Sequence, residues 1–145
     1  MQVIPLSIFI SLLWGINPII MKLLLKELPL PFIMIANTVI YIVCLTLYGA
    51  FYYNDVVNGF NQINARLIFL LVINVVFMLF VSNVIYLYLL KEHTSSIVSA
   101  LVCTSPFFTA IIGYLLLKEK LDWRLILGIV MIVLGTIVIA WSYNI

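Results

Sequence analysis

The sequence predicts an all-α integral membrane protein with five transmembrane helices. Three observations predict this class. Hydrophobic residues make up 66% of the chain and charged residues 8%. The mean hydropathy is +1.31. The few charges divide the 145 residues into five apolar runs, each long enough to cross a bilayer. A soluble domain carries about 25% charged residues, largely to cover its surface, so this composition leaves too little polarity to face water. A helix needs about 20 mostly apolar residues to cross the hydrocarbon core. Barrel strands alternate apolar and polar positions, and the continuous apolarity of these runs argues against them.

The first run is Val3 to Leu25, with Lys22 near its end. No basic residue precedes it and it is long enough to span, so it reads as a retained helix rather than a cleaved leader. The second, Leu30 to Tyr53, is entered through "LPLP", where Pro29 and Pro31 suit a turn and a helix start. A polar loop, "NDVVNGFNQINAR", precedes the third run, Leu67 to Leu90. The fourth is Ser95 to Leu117, with Thr94 or Ser95 as its expected cap, and the fifth is Leu125 to Tyr143, with Asp122 in that role. Trp123, beside charged loop residues, reads as an interfacial anchor, and Tyr48, Phe51, Tyr52 and Tyr53 as an aromatic belt.

Five spans place the termini on opposite faces. Arg66, Lys118, Lys120 and Arg124 lie on the N-terminal side, against Lys22, Lys26 and Lys91 on the other. Basic loops favour the cytoplasm, so four against three points to a cytoplasmic N-terminus by a narrow margin. Such a balance has two readings: insertion in both orientations, or one orientation fixed by something other than charge.

Several function classes are excluded. A net charge of +2, scattered along the chain, carries no nucleic-acid footprint. His93 is the single histidine, which rules out a multi-histidine metal site within one chain, and in "KEHTSS" it reads as a solvated loop residue. Cys44 and Cys103 lie in apolar runs and read as buried free thiols. Lys22 apart, no Asp, Glu, Lys or Arg falls inside a span. Intramembrane ionisable residues mark proton relays and ion paths, and hydrolysis needs a positioned base or metal. The sequence therefore predicts no enzyme, no catalytic residue, no metal and no cofactor.

What the spans do contain is neutral polarity, arranged by face. In the first, Ser7, Ser11, Trp14, Gly15, Pro18 and Lys22 recur at helical spacing; in the second, Asn37, Tyr41, Cys44 and Tyr48 do so. The third has Asn74, Met78 and Ser82, with Asn83 adjacent. The fourth carries a narrow stripe of Ser95, Ser99, Cys103, Pro106, Ala110 and Gly113, and the fifth has Gly128 and Gly135 seven residues apart. Two readings fit. Small residues let membrane helices approach closely, which suits Ser99, Gly113, Gly128 and Gly135. Asn17 and Asn37 are costly to leave unmatched in hydrocarbon. Pro18 also frees the carbonyl of Trp14, so "WGINP" suits the lining of a space.

These residues resemble the drug/metabolite transporter superfamily, specifically its EamA-like repeat. The resemblance rests on Trp14, Gly15, Asn17 and Lys22 in "LLWGINPIIMKLLL". It rests further on "YLYLLKEHTSSIVSALVCTSPFFTAIIGYLLLKEKLDWRLILGIVMIVLGTIVI", with its Ser/Thr start, Pro106, the helix-ending Glu119 and the Gly128 and Gly135 pair. It implies a five-helix unit that most relatives carry twice as inverted repeats. The chain would then work as an antiparallel homodimer or beside a related five-helix partner, with a substrate site near the membrane midplane. Relatives often place an Arg early in the second helix where this sequence has Asn37, so no charged-substrate preference transfers.

The resulting expectation is a half-size transporter subunit in the cell membrane that moves a small polar metabolite by alternating access. Trp14, Asn17, Lys22, Asn37 and Tyr41 are its candidate cavity residues, and Pro18 and Pro106 its sites of helix irregularity. The expected partners are membrane lipid, a small-molecule substrate and a second five-helix chain. The alternative is an accessory membrane subunit that transports nothing itself.

Overall fold

Helices make up nearly all of the computed structural model, which describes residues 3–143. In chain order they are α1 (Val3–Glu27), α2 (Leu30–Phe51), α3 (Tyr53–Gln62), α4 (Ala65–Glu92), α5 (Ser95–Leu117) and α6 (Trp123–Tyr143). All but α3 are long and apolar enough to cross a membrane, and among the described residues there is no strand. The reason is the solvent. In hydrocarbon each backbone N–H and C=O needs a partner within the protein, and a helix supplies one from its own segment.

The expected run boundaries hold to within two residues, with one substantive correction. The second span ends at Phe51, and Tyr53 opens a new helix, α3. The stretch read as a polar loop is therefore helical over Tyr53–Gln62. Tyr53, Val56, Val57 and Phe60 fall on one side at i, i+3, i+4 and i+7, with Asn54, Asp55, Asn58 and Asn61 on the others. This is the pattern of a helix lying along a membrane surface. The rings of Tyr48 and Tyr52 meet at 4.8 Å where α2 gives way to α3.

The caps need a correction too. Thr94 holds the extended backbone of an N-cap, but its side chain makes no capping hydrogen bond. At α6 the backbone carbonyl of Asp122 accepts from the N–H of Ile126 at 3.1 Å, the first helical bond there. Asn64 does cap by its side chain, Oδ1 accepting from the N–H of Leu67 at 3.0 Å.

Two spans depart from α-helical winding. In α4, Asn74–Val81 is a π-helix, bounded by Asn74, whose N–H is shared by the carbonyls of Leu70 and Leu71, and by Ser82, whose N–H bonds the carbonyl of Phe77. In α5, helix Ser95–Val102 gives way at Cys103 and Thr104 to a second helix, Ser105–Ile112, with Pro106 in its first turn. There Pro costs no helical bond, because the first N–H groups have no partner anyway. Pro18 behaves otherwise: α1 runs unbroken through it, and it is the buried residue of that helix.

The described chain forms two compact units. One comprises α1 as far as Ile19, together with the chain from Glu92 onward. In it α5 packs against α6, and Val98, Ile129 and Thr136 are buried. The other is Ile20–Lys91, where Ile33, Leu87 and Leu90 are buried. The chain passes from one unit to the other after Ile19, close to Pro18, and returns after Lys91.

After a π-helical last turn, Gly113–Leu117, α5 ends at Lys118, whose φ of 55° lies in the left-handed region. This closure lets the Gly113 carbonyl accept from the N–H groups of both Lys118 and Glu119. A left-handed residue with a Cβ costs roughly 1–2 kcal/mol that glycine avoids. Lys118→Gly is therefore expected to stabilise the protein by about 0.5–1 kcal/mol. A raised unfolding midpoint in detergent, followed by circular dichroism, checks this; a lowered one would show that the lysine side chain matters more than its backbone.

Candidate functional site

Polar groups at membrane depth are the natural place to look for function, since each must be matched or hydrated. Most of the hydroxyls here are matched locally. Ser11 donates to the carbonyl of Ser7, Thr38 to that of Met34 and Thr46 to that of Ile42, each at 2.8 Å. Thr109 donates to Ser105 at 3.1 Å, and Ser82 donates to the carbonyl of Met78. Such back-bonding to the preceding turn leaves little polarity to offer a ligand.

In the first unit, Trp14 and Asn17 stand out. Trp14 is 76% exposed, and Asn17 is exposed as well. Among the described residues neither side chain has a hydrogen-bond partner. A Cβ on the adjacent Gly15 would meet nothing within 4 Å, so the surface here is open. An indole N–H and a carboxamide thus stand on the exposed surface of a mostly apolar helix.

The same unit holds the small residues of α5 and α6. The Ser99 hydroxyl oxygen is buried without a partner in the unit that contains the α5–α6 contact. Gly113 is buried, but its neighbour is the segment just past the end of its own helix: a Cβ there would sit 2.8 Å from Oε2 of Glu119. The missing side chain makes room for the Glu119 carboxylate folding back. Gly128 and Gly135 have nothing within 4 Å of a built Cβ, so the space beside each is open.

In the second unit, Asn37 is half-buried and its Nδ2 donates to Sδ of Met21 at 3.7 Å. A thioether is a weak acceptor, so this bond orients the amide without saturating it. Lys22, half-buried, follows Met21 on α1 and is itself engaged in an interaction. Tyr41, one turn beyond Asn37 on α2, is 61% exposed. The five candidate residues are therefore divided: Trp14 and Asn17 belong to one unit, and Lys22, Asn37 and Tyr41 to the other. Among the described residues no group of three or more His, Cys, Asp or Glu could hold a metal ion. Cys44 and Cys103, expected to be buried, are instead free and exposed, each on the surface of a helix of membrane length.

Two features escaped sequence reading. The Asn37–Met21 contact joins residues 16 positions apart and depends on how α1 and α2 meet. The π-helix starting at Asn74 has no compositional mark, because "NVVFMLFV" reads as ordinary apolar helix.

Five membrane-length helices with an irregular α5 and neutral polar faces define a multi-pass α-helical membrane protein. Its family follows from comparison: the sequence pattern of the EamA-like transporter family matches residues 1–141, and the chain belongs to that family. No curated protein and no solved structure matches it.

If the Asn37 amide is held only by a soft acceptor, removing it has little structural consequence. Asn37→Leu is expected to cost less than about 1 kcal/mol, since interhelical hydrogen bonds in membranes average roughly 0.6 kcal/mol. Unfolding by graded denaturing detergent measures this, and a loss of several times that size would make Asn37 a packing residue.

Proposed function

We infer that the protein is a half-size transporter subunit that moves a small, neutral polar metabolite across the cell membrane. The observation that carries this reading is the Asn37 amide, held at membrane depth by a thioether with hydrogen-bonding capacity to spare. Trp14 and Asn17, outward-facing and unmatched among the described residues, support it from the other unit. In hydrocarbon such groups call for a partner chain, a wet cavity or a polar solute.

Membership of a transporter family sets the mechanism to be expected. Transporters built from inverted repeats bind substrate near the bilayer midplane where the repeats meet, and alternate access by rocking one against the other. The 145 residues carry one five-helix unit, and an odd number of spans lets a second copy inserted the other way complete the inverted pair. The near balance of basic loop residues, four against three, suits such dual insertion. The four lie with the N-terminus, on the cytoplasmic side of the favoured orientation. Within one unit Asn37 and Tyr41 are the residues proposed to meet solute, with Lys22 at the edge of the membrane; within the other, Trp14 and Asn17 are candidates in their own right. Pro18 leaves α1 short of one backbone bond without breaking it, and Pro106 opens the restarted half of α5, so these are the points where the two helices are proposed to flex. Apart from Lys22, every Asp, Glu, Lys or Arg of the membrane-length helices stands within two residues of a helix end, so transport runs by facilitated diffusion or exchange rather than by tight proton coupling.

The test is reconstitution of the purified chain in liposomes. Uptake of neutral amino acids and similar small polar solutes should be saturable, and Asn17→Leu or Asn37→Leu should lower it roughly tenfold or more with the fold intact, the effect of leaving one bound polar group unmatched. A reporter fused after Ile145 should signal from both faces of the membrane. Absence of flux from the chain alone, with reporter signal from one face, would instead make it an accessory subunit of another transporter.

A further inference from the structure

We propose that Met21 is a redox-sensitive residue of the candidate site: oxidation of its thioether to the sulfoxide by a peroxide locks the Asn37 amide. The inference deepens the transport reading and rests on it for its consequence, though not for the chemistry of the lock. What carries it is the contact between Nδ2 of Asn37 and Sδ of Met21, 3.7 Å apart, with both residues in the unit Ile20–Lys91. A good donor is here set against a weak acceptor, and the acceptor is an atom that oxidation converts into a strong one.

Met21 is half-buried rather than enclosed, and Ile20 and Leu23 beside it are exposed, so a molecule as small as hydrogen peroxide has a way to it. A lone pair of the sulfur attacks one peroxide oxygen, and an S–O bond forms as the O–O bond breaks. The departing hydroxide takes the proton of the transferred oxygen and leaves as water. Sulfur is oxidised by two electrons and the peroxide is reduced by two. The product is a polar side chain that carries an oxygen acceptor, and reductases return it to the thioether. An amide N–H bonds such an oxygen at about 2.7–3.2 Å, and the unbranched, flexible methionine side chain lets the oxygen turn toward Asn37. A solute must then displace a strong acceptor instead of a soft one, and the site closes until the sulfoxide is reduced.

Met78 and Met131 are exposed and oxidise too, so the test has to be specific to one sulfur. The full chain, isotope-labelled at asparagine and held in lipid nanodiscs, is treated with hydrogen peroxide, and sulfoxides are mapped by peptide mass spectrometry. The Asn37 carboxamide is followed by NMR, its signal identified by its loss in Asn37→Leu. Oxidation should slow hydrogen exchange of that carboxamide about tenfold, the scale of one strengthened hydrogen bond, and methionine sulfoxide reductase should restore it. Met21→Gln, which offers a carbonyl oxygen, should slow exchange without peroxide. Met21→Leu, whatever its own rate, should be indifferent to peroxide although the other methionines still oxidise. In liposomes, solute uptake should fall about tenfold on oxidation of the unmodified chain, and oxidation should not change that of Met21→Leu. Resistance of Met21 to peroxide, unchanged exchange at Asn37 after its oxidation, or loss of helix by circular dichroism would each overturn the proposal. So would an uptake loss that persists in Met21→Leu, which would assign the effect to other methionines or to the thiols of Cys44 and Cys103. Absence of uptake before any oxidation, with exchange slowed as expected, would bring down the transport reading and uphold the lock.

Discussion

Backbone hydrogen bonding in a solvent that offers none is the constraint on which the rest of this structure depends. It forces helices on the spans, and it decides what each irregularity can be. At Asn74 the backbone turns to π-helical bonds, one N–H being shared between the carbonyls of Leu70 and Leu71. At Cys103 and Thr104 the helix stops and restarts, the Cys103 N–H bonding the carbonyls of Ser99 and Ala100. At Lys118 one carbonyl, that of Gly113, collects two amides. Each departure from α-helix is thus accompanied by hydrogen bonds from the same segment, as the membrane requires.

Side chains answer to the same rule, and the difference between hydroxyls and carboxamides follows from it. Serine and threonine can return their proton to the preceding turn, as Ser11, Thr38, Thr46 and Thr109 do. Asparagine has more groups to satisfy than one such bond uses. Asn83 sends Nδ2 to the carbonyl of Leu79 at 2.6 Å and still has an amide oxygen to match. Among the polar residues of the spans, the asparagines therefore keep capacity for a solute or a second chain, as do the indole of Trp14 and the unpartnered hydroxyl of Ser99.

The five spans were legible because a membrane span is written in composition over some 20 positions, and no tertiary contact is needed to read it. The residue pattern of "WGINP" and of the segment from Tyr86 onward was likewise enough to point to the family. The helix α3 was missed although its mark was present: Tyr53, Val56, Val57 and Phe60 have helical spacing. Three asparagines and a glycine among its ten residues read as loop, because these residues disfavour helix interiors in water. At a membrane surface the apolar side has somewhere to go, and burial outweighs propensity. The side-chain capping expected of Thr94 failed for a related reason: position and backbone were predictable, but the direction of one hydroxyl was not.

The candidate site was legible only in its parts. Sequence periodicity puts Asn37 and Tyr41 on one face of α2, and Trp14 and Lys22 on one stripe of α1. It cannot show that Met21 would be the group to meet Asn37. That pairing matters to the functional reading. A hard acceptor, such as a backbone carbonyl or a carboxylate, would hold the amide in a strong bond and leave a solute little to gain by competing for it. A thioether fills space, tolerates displacement and bonds weakly, so exchanging it for a polar solute carries a small cost. A transport site must release what it binds, and an amide held this loosely can exchange partners in both directions.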